Sequence, residues 1–258
     1  MATYTLITGA SEGLGVEFAR LAARDGRNMI LTARSEHKLN ALAEDLRKDG
    51  LDVVVIPADL SDLAEAERLW SEAADGRQID VLINNAGLGY NGPFATESAW
   101  ERELASLQVN VLSFTRLMKL AVAHMTAHGS GRVLNVSSLA GFMPGPNMAV
   151  YHATKAFALS LSEAVAEELR GTDVTVTALC PGPTRTNFFT DADMGNVRLV
   201  RMGQVMKAFD VAEEGWLEAR IGKRIVVPGV LNKIQAFGPR LTPRSIVTRI
   251  ARMALGRG

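Results

Sequence analysis

YTLITGASEGLG, residues 4–15, is the stretch whose reading decides the fold. Residues 4–8 form a short apolar run that reads as a strand. VEFARLAARDG follows at helical spacing, with Val16, Ala19, Leu21 and Ala22 apolar and Gly26 as the stop. Between strand and helix stand Gly9, Gly13 and Gly15, separated by three residues and then by one. A plain strand-to-helix turn needs one glycine. Three suit a loop whose backbone must approach a pyrophosphate, with the charge met by amides at the helix N-terminus. The spacing is not the G-x-G-x-x-G of the dinucleotide fingerprint.

The alternation continues outward from this unit. Strands are expected over 29–32, 52–57, 80–84, 132–137, 173–180 and 224–228. Helices are expected over 36–49, 61–74, 150–170 and 211–222, with one long or broken helix over 97–128. The strands are continuous β-branched runs, as expected when helices cover both faces of a parallel sheet. The fold class is therefore α/β: a doubly wound parallel sheet of about seven strands. No repeat or low-complexity linker interrupts it, so 1–258 reads as one domain.

Composition narrows the function. Twenty-eight basic residues balance 28 acidic ones, so no long-range field draws in nucleic acid. A single cysteine, Cys180, excludes internal disulfides and suits a reducing, cytoplasmic setting. It ends the apolar run VTVTALC and reads as a buried strand residue. Residues 1–8 have no basic leader, and no run of eighteen apolar residues occurs. His124 and His128 stand four apart with no third ligand in view, which reads as a polar helix end rather than a metal site.

Chemistry-bearing residues fall at the expected carboxyl ends of strands, where open α/β sheets bind ligands. After the second strand comes Arg34, with no carboxylate at Ala33; an arginine there accommodates a 2′-phosphate, or is simply a solvated charge. Asp59 follows the third strand and Asn84–Asn85–Ala86–Gly87 the fourth. Asn110 sits among apolar neighbours and needs partners. SSLAGFMPGPNMAVYHATK, residues 137–155, carries Ser138, Tyr151 and Lys155. Tyr151 and Lys155, four apart at a helix start, share one face. The ammonium would lower the phenol pKa, and a tuned phenol can pass a proton to or from an alcohol oxygen that Ser138 could hydrogen-bond.

Together these residues resemble the short-chain dehydrogenase/reductase family across nearly the whole chain. Its T-G-x-x-x-G-x-G loop is matched by Thr8–Gly15, its N-N-A-G by Asn84–Gly87, and its active-site asparagine and serine by Asn110 and Ser138. Its Y-x-x-x-K is matched by Tyr151 and Lys155, and its P-G turn with a later threonine by Pro181, Gly182 and Thr186. Asp59–Leu60 matches the Asp-Leu that touches adenine. The resemblance implies a Rossmann fold, catalytic Asn110, Ser138, Tyr151 and Lys155, and NADP in preference to NAD. It places the cofactor against Gly9, Ser11, Gly13, Leu14, Gly15, Arg34, Asp59, Leu60, Asn85, Ala86, Gly87, Tyr151, Lys155, Pro181, Gly182, Thr184 and Thr186. In that mechanism NADPH delivers hydride to a carbonyl, Tyr151 protonates it, Lys155 lowers the tyrosine pKa, and Asn110 anchors a relaying water. It implies a core over 1–185, a substrate segment over 186–238 and a basic helix over 239–258. Two departures stand out: Glu12, where NADP-using members often carry a base, and Thr184 in the P-G turn.

The substrate is expected to be medium-sized and mostly apolar, because the surrounding stretches supply Leu88, Tyr90, Phe94, Leu139, Phe142, Met143, Met148, Phe188, Phe189, Met194, Met202 and Met206. Arg185, Arg198, Arg201 or Lys207 turned inward would instead select a carboxylate. Apolar surplus on helices 97–128 and 150–170, from Leu117, Leu120, Val122, Phe157, Leu159, Leu161 and Val165, points to a homodimer or homotetramer. In the tail, Ile246, Val247, Ile250, Met253 and Ala254 form a stripe opposite Arg244, Arg249 and Arg252. That helix packs on its own domain or a partner, or lies on a membrane surface. Beside the reductase reading stand a dinucleotide-binding regulator that lost the reaction and a membrane-peripheral reductase of lipid-like substrates.

Overall fold

The computed structural model describes residues 2–95, 100–192 and 205–256, with the side chains of Phe189 and Thr190 excepted. Strands β1 (Thr3–Thr8), β2 (Asn28–Thr32), β3 (Val53–Val55), β4 (Gln78–Asn84), β5 (Gly131–Val136) and β6 (Val174–Leu179) alternate with helices α1 (Gly13–Arg24), α2 (Glu36–Arg47), α3 (Leu63–Ala74), α4 (Trp100–Leu107), α5 (Phe114–Ala127) and α6 (Ala149–Glu168). After β6 come a short ribbon of β7 (Thr184–Arg185) and β8 (Met206–Lys207), the turn α7 (Phe188–Asp191), α8 (Ala208–Arg220), β9 (Ile225–Val226), α9 (Val230–Phe237) and α10 (Arg244–Leu255). The main sheet has seven parallel strands in the order β3-β2-β1-β4-β5-β6-β9. This is a single-domain Rossmann fold.

Alternation along each strand builds two cores. In β1, Leu6 and Ile7 are both fully buried, on opposite faces. Leu6 joins Ala66 and Leu69 of α3, Leu117 of α5 and Ala158 of α6. Ile7 joins Phe18 of α1, Leu39 of α2 and Val211 and Trp216 of α8. Each such side chain contributes about 1.5–3 kcal/mol through burial.

Strand order reverses between β1 and β4, which opens a crevice at their carboxyl ends. Thr8 spans it: its hydroxyl accepts the amides of Asn85 and Ala86, each at 2.9 Å, and its carbonyl accepts Asn85 Nδ2 at 2.9 Å.

Two expected strands shrink. Residues 52–57 and 224–228 hold only Val53–Val55 and Ile225–Val226. Both lie at sheet edges and run into Pro57 and Pro228, which have no amide to extend a ladder. The expected helix 97–128 is broken by a π-helical turn, Gln108–Ser113, that carries buried Asn110. The ribbon β7–β8 and helix α9 have no counterpart in the sequence reading. Of the seven residues offered as oligomer surplus, only Phe157 is exposed; the other six pack on their own sheet.

A Cβ at Gly15 would stand 2.1 Å from the Gly9 carbonyl oxygen, whereas one at Gly26 would meet nothing within 4 Å despite φ +68. Gly15→Ala should therefore cost about 3 kcal/mol or more in urea unfolding, and Gly26→Ala about 1–2 kcal/mol, from left-handed backbone strain alone. Equal costs would contradict the packing assigned to the loop.

Candidate active site

One cleft of about 1100 Å³ runs along the carboxyl ends of the strands. Its wall takes in Gly9, Ser11, Gly13 and Leu14 of the glycine loop, Arg34, Asp59–Leu60, Asn85–Gly87, Ser138, Tyr151, Lys155, Pro181, Gly182, Thr184 and Thr186. All of these were expected at the site, and the fold brings them to one cleft. Gly15 supports the loop from behind, against Gly9 and Ala10, and Asn110 lies just behind the wall, against the loop at Gly87–Leu88.

Ser138 leaves β5 in extended conformation and caps the 3₁₀ turn Leu139–Phe142 by accepting the Ala140 amide at 3.1 Å. Tyr151 and Lys155 occupy the first turns of α6, with Nζ 5.8 Å from the tyrosine ring centroid. Lys155 is only 6% exposed, and its ammonium donates to the Val136 carbonyl at 2.8 Å. A Cβ at Gly87 would stand 3.2 Å from Lys155 Nζ and 3.3 Å from Asn110 Oδ1, so glycine is what lets these groups converge. Burial brings the Lys155 ammonium down to about 8. Burial likewise pushes the Tyr151 phenol up to about 12, with Ser138 pulling weakly the other way.

This corrects one expectation. In the protein alone the phenol lies above its ordinary value rather than below it, with lost hydration as the largest cause. Lost hydration dominates both groups, and each is driven toward its neutral form.

Asn110 has its side chain engaged. Oδ1 accepts the Leu88 amide at 2.9 Å, while Nδ2 donates to the Leu88 carbonyl at 2.8 Å and to Thr154 Oγ1 at 3.0 Å. It pins the loop after β4 to α6, which leaves little of the carboxamide to anchor a water.

The cleft suits a dinucleotide. The α1 N-terminus has no side-chain cap and no acid in its first turn, so its free amides can meet a phosphate. Gly9 and Gly13 hold φ +64 and +57, and a Cβ at Gly9 would stand 2.9 Å from Asn85 Nδ2. Arg34 is exposed and makes no hydrogen bond or ion pair among the described residues. Asp59 lies below the usual carboxylate range: burial opposes this, but Ser61 and the Arg34 charge outweigh it. Glu12 pairs with Lys38 and accepts Asn187 Nδ2 at 2.7 Å. Those two bonds hold its carboxyl low, and its charge is already partnered.

Of the apolar residues expected in the pocket, Leu88, Leu139, Met143, Met148 and Phe188 line it. Phe142 packs with Leu159, Ala178 and Cys180 instead, and Met206 takes an Asn232 hydrogen bond on Sδ. Tyr90 stacks on Arg102, and Phe94 is 67% exposed. Arg185 and Lys207 are exposed outside the cleft. Met194, Met202, Arg198 and Arg201 lie outside the described residues. His124 is taken up by the Ile79 amide at 3.1 Å. Cys180 is buried, and burial pushes its thiol up to about 12.

Sequence reading did not place Lys38, Asn187 or His152 at the site, and it gave packing on the domain as one reading of the tail helix without bringing that helix to the cleft. His152 holds the Met143 carbonyl at 2.8 Å, and Val247, Ala251 and Leu255 of α10 close one side of the cleft. The apolar face of the tail was the available signal, but its destination depends on chain path rather than pattern.

A family model for the short chain dehydrogenase matches residues 3–196. The chain belongs to the short-chain dehydrogenase family. A 7beta-hydroxysteroid dehydrogenase from Collinsella aerofaciens is 34% identical over 233 residues, 88% of this chain and 86% of that protein. A short-chain dehydrogenase from Sphingobium yanoikuyae, solved in complex with NADPH, superposes with a TM-score of 0.83 at 31% identity, covering 93% of this chain and 94% of the other. One from Burkholderia phymatum, solved with NAD, superposes at 0.81 and 25% identity, covering all of this chain and 96% of the other. The chain spans only 62% and 52% of the length of some curated relatives it matches.

Because the folded Lys155 value near 8 lies below the ordinary 10.5, the unfolded chain holds a proton between these values that the folded chain lacks. Stability owed to Lys155 therefore rises with pH across that window. Relative to Lys155→Met, the wild type should gain about 1–3 kcal/mol between about pH 7 and about pH 10 in urea unfolding. A difference independent of pH would contradict the burial assigned to this lysine.

Proposed function

We propose that this chain is an NADP(H)-dependent oxidoreductase that interconverts a carbonyl and a secondary alcohol on a medium-sized, mostly apolar molecule. The observation that carries this is buried Lys155 beside Tyr151 and Ser138, in the same cleft as the glycine loop and the unpaired Arg34. Bound at Gly9–Gly15, Asn85–Gly87 and Pro181–Thr186, the dinucleotide would supply or accept the hydride. The chain's own residues do the rest. Ser138 donates a hydrogen bond to the substrate oxygen. Tyr151 gives that oxygen its proton in reduction and removes it in oxidation. A phenol near 12 is fully protonated at neutral pH, which suits it as a donor. Lys155, near 8, titrates close to working pH and can exchange the proton that Tyr151 spends.

Arg34 supports NADP over NAD, because a free guanidinium can meet a 2′-phosphate. Glu12 does not oppose this strongly, being paired with Lys38. Leu88, Leu139, Met143, Met148 and Phe188 support an apolar substrate, since a polar one would lose hydration without matching hydrogen bonds. A regulator that lost the reaction would have no use for a desolvated lysine beside a phenol. Assembly into a homodimer or homotetramer belongs to the same proposal, with exposed Leu112 and Phe157 as candidate contacts.

Tyr151→Phe should lower kcat on any accepted ketone by about 10²–10⁴-fold while leaving NADPH affinity unchanged by fluorescence titration. Arg34→Ala should raise the NADPH Kd by roughly 10–100-fold and barely move that for NADH. A Tyr151→Phe enzyme that keeps most of its rate would remove the assigned proton donor. Equal NADPH and NADH affinities in the wild type would remove the cofactor preference.

A further inference from the structure

Half of the large apolar side chains exposed among the described residues fall between Val230 and Met253. They follow helical spacing on two elements. On α9, Val230, Ile234 and Phe237 stand at i, i+4 and i+7, while Asn232 and Ala236 are buried. On α10, Ile246, Ile250 and Met253 repeat that spacing, while Val247, Ala251 and Leu255 are buried. Each helix therefore satisfies the protein with one face and presents a second apolar face outward. Leu241, between them, is 76% exposed.

The charge on this segment is one-sided. Residues 229–258 contain six basic residues and no acid, whereas the remainder of the chain holds 22 basic residues against 28 acidic ones. Arg240, Arg244, Arg249 and Arg252 are exposed and form no ion pair among the described residues; Lys233 pairs with Glu214 at 3.6 Å. The cleft opens on the same segment, whose Gln235, Pro239, Thr242 and Ile250 form part of its wall.

We infer that α9 and α10 form an interfacial patch that docks on an anionic lipid surface with the cleft mouth beside it. An apolar stripe edged by arginines is the chemistry that inserts among acyl chains while meeting lipid phosphates. A second copy of this chain is the poorer occupant. Two-fold pairing of the patch would set unpaired arginines against one another with no acid opposite. The inference does not depend on the proposed reaction, because surface binding is read without substrate or cofactor.

The test is co-sedimentation of the full chain with vesicles of phosphatidylcholine alone or mixed with phosphatidylglycerol. Partitioning should be at least about tenfold higher on the anionic vesicles and weaken as salt rises. Arg249→Glu/Arg252→Glu should abolish the preference, and Ile234→Asp/Leu241→Asp should lower binding about tenfold or more. Leu217→Asp/Ile221→Asp, exposed on and just beyond α8, should leave binding unchanged and controls for general loss of folding. The inference is overturned if the wild type stays in the supernatant with anionic vesicles, or if the α9–α10 variants bind as well as the wild type. It is equally overturned if Ile234→Asp/Leu241→Asp dissociates a lipid-free oligomer by light scattering, which would make the patch an interface between copies.

Discussion

A lysine with 6% of its surface exposed, its ammonium held by a single backbone carbonyl at 2.8 Å, is the constraint on which this site rests. Burying an ammonium is costly, and the surroundings show how the cost is contained. The Val136 carbonyl at the end of β5 accepts one N–H, and the lowering of the ammonium to about 8 takes up part of the remainder. Position 87 is glycine because any side chain would press on Nζ. The backbone at Lys155 is fixed as well: Ser137 Oγ donates to its carbonyl at 2.8 Å, and a Cβ at Gly141 would stand 2.8 Å from that same oxygen. Neighbouring Thr154 ties Asn110 and the Tyr151 carbonyl together at 3.0 and 2.8 Å. The end of β5, the loop after β4, the π-helical turn and α6 are thereby locked around one ammonium.

The same architecture joins this centre to the dinucleotide end of the cleft. Thr8 accepts two amides of the loop that begins at Asn85, and that loop ends against Lys155 and Asn110. A disturbance of the glycine loop is thus transmitted through a few backbone contacts to the group that handles the proton. At the other edge, Glu12 connects the glycine loop to Lys38 of α2 and to Asn187 beyond the P-G turn. Three segments distant in sequence meet at one carboxylate, beside the unpaired Arg34.

What was legible in the sequence is what local spacing controls. The strand–glycine–helix unit, the i, i+4 placement of Tyr151 and Lys155, and the carboxyl-end positions of Asp59 and Asn84–Gly87 all follow from periodicity and turn chemistry. Edge strands were over-read, because VVVIP and RIVVP are as apolar as a central strand while only one side finds a neighbour. Phe142 and Met206 were assigned to the pocket since composition cannot say which way a loop side chain turns. The pairing of Glu12 with Lys38 spans 26 residues and was invisible, as was the return of α10 to the cleft. The electrostatic error has a definite cause: proximity of an ammonium to a phenol was read without the desolvation that both incur.

The central claim is that this cleft turns over, rather than merely binds, a nicotinamide dinucleotide. The most direct measurement mixes the wild-type chain and NADPH with a series of bulky apolar ketones, charged oxo acids and sugars of similar size, following nicotinamide absorbance and product alcohol together. The account predicts ketone-dependent NADPH oxidation matched mole for mole by alcohol, fastest with the apolar ketones. Saturable NADPH binding with no oxidation across the whole series would contradict it.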